Sequence, residues 1–183
     1  LIIGSGLAGS IAALTAADAG RKVTIITKTK ELYGGNTRYA QGGIVYKGIN
    51  DTPVKLKKDI MLSGAGHCWE PAVDQLCNLG PQLVFDILIK KLNIQFEEKN
   101  KTLDLTSEAA HSINRIIHSK DKTGSTIQNA IIKEIEKHKN INTHCNQVVV
   151  DILTLSHNSV ETTDIYKKPT CFGAMVLDNN SNS

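Results

Sequence analysis

The chain has 183 residues, and 40% of them are apolar, enough to bury a hydrophobic core. Its 21 basic and 18 acidic residues are scattered along the sequence, a pattern that does not indicate a polyanion partner, so no nucleic-acid binding is predicted. No run of about 20 apolar residues and no export signal occurs, so the sequence predicts a soluble intracellular protein without membrane contact. The four cysteines lack metal-ligand spacing, and no metal site is predicted.

The first thirty residues have the pattern of a β-α-β unit. Apolar residues 1–3 predict a strand, the small and helix-forming residues 10–20 predict a helix, and the β-branched run 22–27 predicts a second strand. A unit of this length places its two strands in parallel. The fold class that follows is α/β, with a Rossmann-like domain built on a parallel sheet.

The middle of the chain reads as a loop followed by helices. Residues 28–50 are rich in Gly, Asn and Tyr and predict a long functional loop. Apolar residues at helical spacing predict helices over 53–63, over 71–92 with a break at Gly80-Pro81, and over 125–138.

The last part of the chain predicts strands. Residues 141–155 contain one strand with Val148 to Val150 at its centre, and strands near Ile165 and over 171–177 predict a small β-meander. Residues 179–183 read as a turn. The chain lacks an initiator Met and starts directly in a strand, so we interpret both ends as boundaries of a fragment with three segments, 1–50, 51–124 and 125–183.

Three glycines between the first strand and the first helix carry the first functional signal. Gly4, Gly6 and Gly9 fit the GxGxxG pattern, in which the glycines permit a tight turn, close approach of a pyrophosphate and close helix–strand packing. The helix N-terminus attracts the phosphate charge. The pattern therefore favours a dinucleotide-binding turn, and the alternative is a glycine-rich turn that binds no ligand. The second strand ends in Thr27-Lys28 without the acidic residue that binds the NAD ribose, which disfavours NAD.

The loop after the second strand resembles a known flavin-binding segment. Residues 35–44 read GNTRYAQGGI and resemble the flavin-contacting loop of the succinate dehydrogenase, fumarate reductase and L-aspartate oxidase superfamily. The membrane-bound members typically place a flavin-linked His before this Thr, where the chain has Asn36. Asn has no imidazole for that bond, so the resemblance implies FAD held noncovalently.

Two more segments resemble the L-aspartate oxidase branch. They are Ser63-Gly64-Ala65-Gly66-x-Cys68 and Glu108-x-x-His111-Ser112-x-x-Arg115. The resemblance implies that Glu108 recognises the substrate amino group and that His111, Ser112 and Arg115 hold a substrate carboxylate or orient neighbours. From the residues alone, a solvated Glu108 and a structural His111 stay open as alternatives. The chain departs from the family pattern at Ser107, Ala109, Ala110, Ile113 and Asn114.

The resemblance also implies which residues contact FAD. At the phosphate turn and the second strand these are Gly4, Ser5, Gly6, Leu7, Ala8, Gly9 and Lys28. Around the flavin they are Asn36, Thr37, Arg38, Tyr39, Ala40, Gln41, Gly42 and Gly43. Val148 and Val149 are expected to offer backbone groups to the adenine, and from the residues alone they are equally well a buried strand.

The activity implied by the resemblance is FAD-dependent oxidation of L-aspartate to iminoaspartate, the first step of quinolinate and NAD biosynthesis, with oxygen or fumarate as electron acceptor. Quinolinate synthase is the implied transient partner, and a cytoplasm or plastid is the implied compartment. The catalytic Arg, the capping domain and the second FAD-binding part have no match here, so the isolated chain is expected to be inactive. Two alternatives stay open: a soluble fumarate reductase or succinate dehydrogenase-type flavoprotein, and an inactive truncated nucleotide-binding product.

Overall fold

The computed structural model describes residues 1–179, which divide into two compact units. Unit 1 combines residues 1–36 with the described residues from Ile131 onward, and unit 2 is Thr37–Ala130. The predicted turn over residues 179–183 lies outside the described residues apart from Asn179. The three segments expected from the sequence stay a prediction.

The regular elements follow one another in a mixed order. The strands are β1 (Ile2–Ile3), β2 (Val23–Ile26), β3 (Ile44–Val45), β4 (Glu98–Lys99), β5 (Thr102–Leu103), β6 (Ile116–Ile117), β7 (Ile141–His144), β8 (Gln147–Thr154) and β9 (Cys171–Asp178). The α-helices are α1 (Leu7–Asp18), α2 (Pro53–Ser63), α3 (Glu70–Leu83), α4 (Thr123–Lys137) and α5 (Leu155–Asn158). Short 3₁₀ helices cover Asn36–Tyr39 and Thr162–Tyr166, and a π-helix covers Val84–Lys91.

Unit 1 is built on a three-stranded parallel sheet in the order β1-β2-β7. Ile2 pairs with Ile25, and Val23 pairs with Ile141. Helix α1 buries Ser10, Ala13, Leu14 and Ala17, which recur at the three- and four-residue spacing of one helix face. The predicted β-α-β unit and parallel sheet are therefore confirmed.

The end of unit 1 differs from the sequence-based expectation in two places. Strands β8 and β9 pair antiparallel, but the strand predicted near Ile165 is wrong, because this residue lies in the 3₁₀ helix Thr162–Tyr166. The ion pair between Lys167 Nζ and Asp164 Oδ1 (2.5 Å) closes that local turn. The strand predicted within 141–155 is present as β8, and residues 141–144 form the additional strand β7, because Asn146, with φ of 57°, turns the chain between β7 and β8.

Unit 2 contains α2, α3, the π-helix, the start of α4 and small antiparallel sheets. β3 pairs with β6, and β4 with β5. Helices α2 and α3 bury Leu56, Val73 and Cys77 as a shared apolar cluster. No helix within residues 1–179 is long and apolar enough to cross a membrane.

The helix break predicted at Gly80-Pro81 is wrong. Helix α3 continues through Pro81 to Leu83, and the chain then follows the π-helix Val84–Lys91. Proline removes one backbone donor, and a wider π turn is one way in which a helix accommodates such a local defect. Burial of Val84 and Leu88, four residues apart, keeps the backbone helical beyond the proline.

Candidate functional site

The predicted phosphate turn lies between β1 and α1 in unit 1. Gly6 is the N-cap of α1, and no side chain among the described residues caps this helix end. The Gly4 N–H donates to Ile26 O (2.8 Å), which fixes the turn to the neighbouring strand. A helix start of this kind directs backbone N–H groups and the positive end of the helix dipole outward, the chemistry that binds a phosphate.

Gly9 shows why the third glycine is needed. A Cβ added at Gly9 would overlap Gly4 O and would come within 3.3 Å of Ile2 Cγ2. Helix α1 therefore packs against β1 and the turn at a distance that only glycine allows. This contact is the structural reason for the spacing recognised in the sequence.

Further contacts within unit 1 connect the turn to the start of the flavin-type loop. Ser5 Oγ donates to Leu32 O (2.8 Å), and Ser10 Oγ donates to Ser5 O (3.0 Å). A Cβ added at Gly35 would lie 3.6 Å from Gly6 Cα, ordinary van der Waals contact. The residue before Asn36 thus lies against the glycine turn.

The other cofactor residues predicted in unit 1 lie at the carboxyl end of β2. Lys28 is exposed there, and the Gln147 N–H donates to Thr27 O (3.0 Å). This bond brings the start of β8, with the half-buried Val148 and Val149, beside the end of β2. Ligands of open α/β sheets bind outside the carboxyl ends of the strands, so these positions suit a nucleotide.

The remainder of the flavin-type loop, residues 37–43, belongs to unit 2. Arg38, Ala40 and Gln41 are exposed, and Tyr39 retains 71% of its accessible surface, a large apolar side chain left open. The Arg38 guanidinium lies 6.0 Å from the centroid of the Tyr39 ring. Gly42 has φ of +76°, a conformation that strains any residue with a side chain.

Glu108 lies directly beside this loop. A Cβ added at Gly42 would be 2.7 Å from Glu108 Oε1, so the carboxylate occupies the space that the glycine leaves. The exposed Glu108 sits in a loop closed at its base, where the Arg115 and Ile116 N–H groups donate to Thr106 O (both 2.9 Å). The structure therefore brings the predicted amino-group ligand and the predicted flavin loop together within one unit.

Arg115 forms a buried ion cluster at the other end of this loop. Its side chain is fully buried. Its Nε and Nη2 donate to the two oxygens of Asp51 (2.7 and 3.0 Å), and its Nη1 donates to Asp59 Oδ2 (2.5 Å). A bidentate pair plus a second carboxylate compensates the buried guanidinium charge. We call Asp51, Asp59 and Arg115 the arginine cluster.

His111 and Ser112 are bound to the same cluster. The Ser112 backbone N–H and its Oγ both donate to Asp59 Oδ2 (2.9 Å each). Arg115 Nη1 lies 3.0 Å from His111 Nδ1. An arginine N–H can only donate, so Nδ1 accepts and the imidazole carries its proton on Nε2.

The charges of the arginine cluster stabilise one another. Burial alone would raise the pKa of Asp59, but hydrogen bonds from Arg115 and Ser112 outweigh it and lower the pKa to about 2. Burial alone would also raise the pKa of Asp51, but the hydrogen bonds from Arg115, Gly48 and Thr52 and the charge of Arg115 together lower it. The Asp51 hydrogen bond in turn raises the pKa of Arg115.

Asp51 and Asp59 were missed in the sequence. They lie 64 and 56 residues before Arg115, beyond any local pattern. One signal was present, because Asp59 follows Leu56 by three residues and so shares the buried face of α2. A carboxylate on an apolar helix face indicates a buried cation partner.

A cavity of about 670 Å³ also lies in unit 2, and Asp59 and His111 are among the residues that line it. Its lining is mainly apolar, with Ile44, Leu56 and Ile60 among the contributors. Apolar walls suit a hydrophobic group and not a dicarboxylate.

Comparison with protein families gives one match over the whole chain. The model of the FAD binding domain family matches residues 1–183.

Curated relatives with similar sequences include the L-aspartate oxidase of Halobacterium salinarum, 35% identical over 84% of this chain, and the chloroplastic L-aspartate oxidase of Oryza sativa subsp. japonica, 34% identical over 97%. The chain spans 30% and 26% of the length of these two relatives.

Solved structures with a similar fold include an E. coli quinol fumarate reductase chain, with a TM-score of 0.81 at 20% identity over 97% of this chain and 28% of that one. A flavocytochrome c3 fumarate reductase gives a TM-score of 0.79 at 22% identity, over 98% of this chain and 30% of that one. At such identity these likenesses show the α/β fold.

Proposed function

Because this chain belongs to the FAD binding domain family, we propose that the protein that contains it oxidises L-aspartate to iminoaspartate. FAD is the cofactor and, when bound, supplies the acceptor for the hydride that leaves the substrate Cα. The matched L-aspartate oxidases support the choice of substrate, and oxygen or fumarate is the proposed final acceptor.

The position of Glu108 carries the proposal. Its carboxylate lies beside Gly42, within the loop proposed to contact the flavin. An α-ammonium group that enters a closed site loses water and needs a negatively charged partner, because an unpaired buried charge is costly. Succinate and fumarate carry no ammonium group. A carboxylate at this point therefore favours an amino acid over a plain dicarboxylate.

The turn of unit 1 provides what the FAD pyrophosphate needs. Helix α1 begins at the turn formed by Gly4, Gly6 and Gly9, so the positive end of its dipole lies there, and Lys28 and Val148 lie near the end of β2. We propose Ser5, Leu7, Ala8 and Val149 as further contacts from their places in the turn and beside the end of β2, and Asn36 to Gly43 from the resemblance of this loop to a flavin-binding segment. Since Asn36 offers no imidazole, FAD is held without a covalent bond.

The arginine cluster gives the residues after Glu108 separate tasks. Arg115 and Ser112 are already bonded to Asp59, so we propose that they hold the loop in place and do not touch the substrate. His111 is held through Nδ1, which leaves its Nε2–H as the donor for a substrate carboxylate. Glu108 would then bind the α-ammonium group of L-aspartate, and His111 would donate to one of its two carboxylates.

The test compares two substrates in the full-length, FAD-loaded protein. Glu108→Gln should lower kcat/KM for L-aspartate by at least 100-fold, about 2.7 kcal/mol, and should leave fumarate reduction within a few-fold. Glu98→Gln removes an exposed glutamate from the hairpin β4–β5 and serves as the matched control for charge. Equal losses on both substrates would contradict the amino-group role and favour a dicarboxylate oxidoreductase.

The mode of cofactor attachment has its own test. Acid precipitation of the full-length protein should leave all yellow flavin in the supernatant, because no covalent bond retains it. Flavin that stays in the washed pellet would contradict the role given to Asn36. The cytoplasmic or plastid location, and quinolinate synthase as partner, stay predictions.

A further inference from the structure

We propose that Glu97, Asp104 and His118 form a binding site for a divalent transition metal ion of the zinc type. The three residues lie in unit 2, around the hairpin β4–β5 and the end of β6. One donor atom of each lies within 4.8 Å of the other two. The proposal does not depend on the substrate of the enzyme.

The distances are close to those of a metal site. His118 Nδ1 lies 3.6 Å from Glu97 Oε2, and His118 Nε2 lies 3.9 Å from Asp104 Oδ2. Ligand bonds of about 2.1 Å in a tetrahedral zinc site separate the donor atoms by roughly 3.4 Å. The two carboxylates face different ring nitrogens of His118, and one ion binds only one of these nitrogens, so at least one carboxylate must turn towards the nitrogen that holds the ion. Both carboxylates are partly exposed, with 38% of each side chain accessible, and have room to turn.

The backbone holds the three positions together. The Glu97 N–H donates to His118 O (2.9 Å), and the Asp104 N–H donates to Glu97 O (2.8 Å). The first bond attaches the hairpin to the strand end that carries His118, and the second closes the hairpin. A metal would thus meet three ligands whose main chains are already fixed, which lowers the entropic cost of binding.

The charged groups of the site suit a divalent cation. Within residues 1–179, the ion pairs of Glu97 and Asp104 are both with His118, and neither carboxylate pairs with a lysine or arginine. One oxygen of each carboxylate lies within 4.8 Å of the other, and like charges at this distance repel. A divalent ion that binds both carboxylates and one imidazole nitrogen neutralises the group.

The donor set selects the kind of ion. Imidazole nitrogen favours zinc, cobalt, nickel and copper, whereas Mg²⁺ and Ca²⁺ prefer oxygen ligands throughout. Three protein ligands leave at least one position for water.

The place of the site in unit 2 suggests a structural role for the ion. Asp104 and His118 flank the loop that carries Glu108, and its base is already closed by the Thr106 and Ile116 backbone bonds. A metal that joins Asp104 to His118 would fasten the loop a second time.

The experiment uses the full-length, FAD-loaded protein after chelator treatment. Titration with ZnCl₂ in a calorimeter should show one saturable site, and Co²⁺ should give d–d absorption above 550 nm, beyond the main flavin band. MgCl₂ at the same concentrations should give neither signal.

Variants decide whether these residues hold the ion. His118→Gln and Asp104→Asn should each weaken Zn²⁺ binding at least tenfold and abolish the Co²⁺ spectrum, while His144→Gln, a change at an exposed histidine, should alter neither. Asp104 is partly exposed, so its variant keeps the test valid if His118→Gln fails to fold. No saturable binding in the wild type, unchanged binding in both variants, or equal loss in His144→Gln would overturn the proposal.

Discussion

The glycine turn of unit 1 and the arginine cluster of unit 2 prepare their sites in opposite ways. The turn works by the absence of side chains, so that Gly9 can approach Gly4 O. The cluster works through charged side chains, with Arg115 fully buried between Asp51 and Asp59. The first kind of site depends on backbone geometry, and the second depends on the mutual compensation of charges.

The comparison explains which site residues could be predicted. The close contacts of Gly9 are with Gly4 O and Ile2, within the same turn segment, so the spacing of the glycines in the sequence carries that signal. Arg115 acts through partners more than 50 residues away, and its role in the fold could not be read from its own segment.

The largest expected effect comes from removing the cation of the cluster. Arg115→Met should lower the free energy of unfolding by about 3–5 kcal/mol, because it leaves two buried carboxylates without a partner. Urea unfolding of the full-length protein measures the change. Arg21→Met, at an exposed arginine, is the control.

A second variant sharpens that result. Adding Asp51→Asn and Asp59→Asn to Arg115→Met should recover part of the lost stability, because the uncompensated charges are gone. A triple variant less stable than Arg115→Met would show that packing of the arginine, and not charge, dominates.

The glycine turn of unit 1 should be sensitive to an added side chain and not to a lost charge. Gly9→Ala should cost about 1–3 kcal/mol, because the new methyl group overlaps Gly4 O and pushes α1 away from β1. FAD affinity of the full-length protein, measured by flavin fluorescence, should fall at least tenfold. Gly80→Ala is the matched control: the nearest atom to its new Cβ is Leu76 Cγ at 3.9 Å, and FAD affinity should not change.

The smallest effect is a dependence of stability on pH. The pKa of Asp59 is about 2 in the folded protein, below the ordinary value of 3.8. Because folding lowers this pKa, the stabilising contribution is present above about pH 4 and is lost as the pH falls from 4 towards 2. Urea unfolding over this range should show the loss, and Asp59→Asn should reduce its slope. Asp151→Asn, at an exposed aspartate, should leave the slope as it is in the wild type.

The sequence predicted the fold, like the site, only where a local pattern determines the structure. Hydrophobic periodicity and amino-acid composition were enough to predict the β-α-β unit and helix α2, whose bounds match the predicted 53–63. Local rules failed where tertiary contacts or a single turn residue decided the outcome. Buried Val84 and Leu88 carry the helix beyond Pro81, and Asn146 separates the predicted strand β8 from the additional strand β7.

The arginine cluster also has a consequence for how related sequences vary. Loss of Arg115 alone leaves two buried carboxylates without their cation, and loss of either aspartate leaves the guanidinium with only one carboxylate. Each single substitution should therefore destabilise the protein and be selected against. Across divergent homologues the three positions should therefore change as a set, and substitution statistics should couple them more strongly than their distance along the chain suggests.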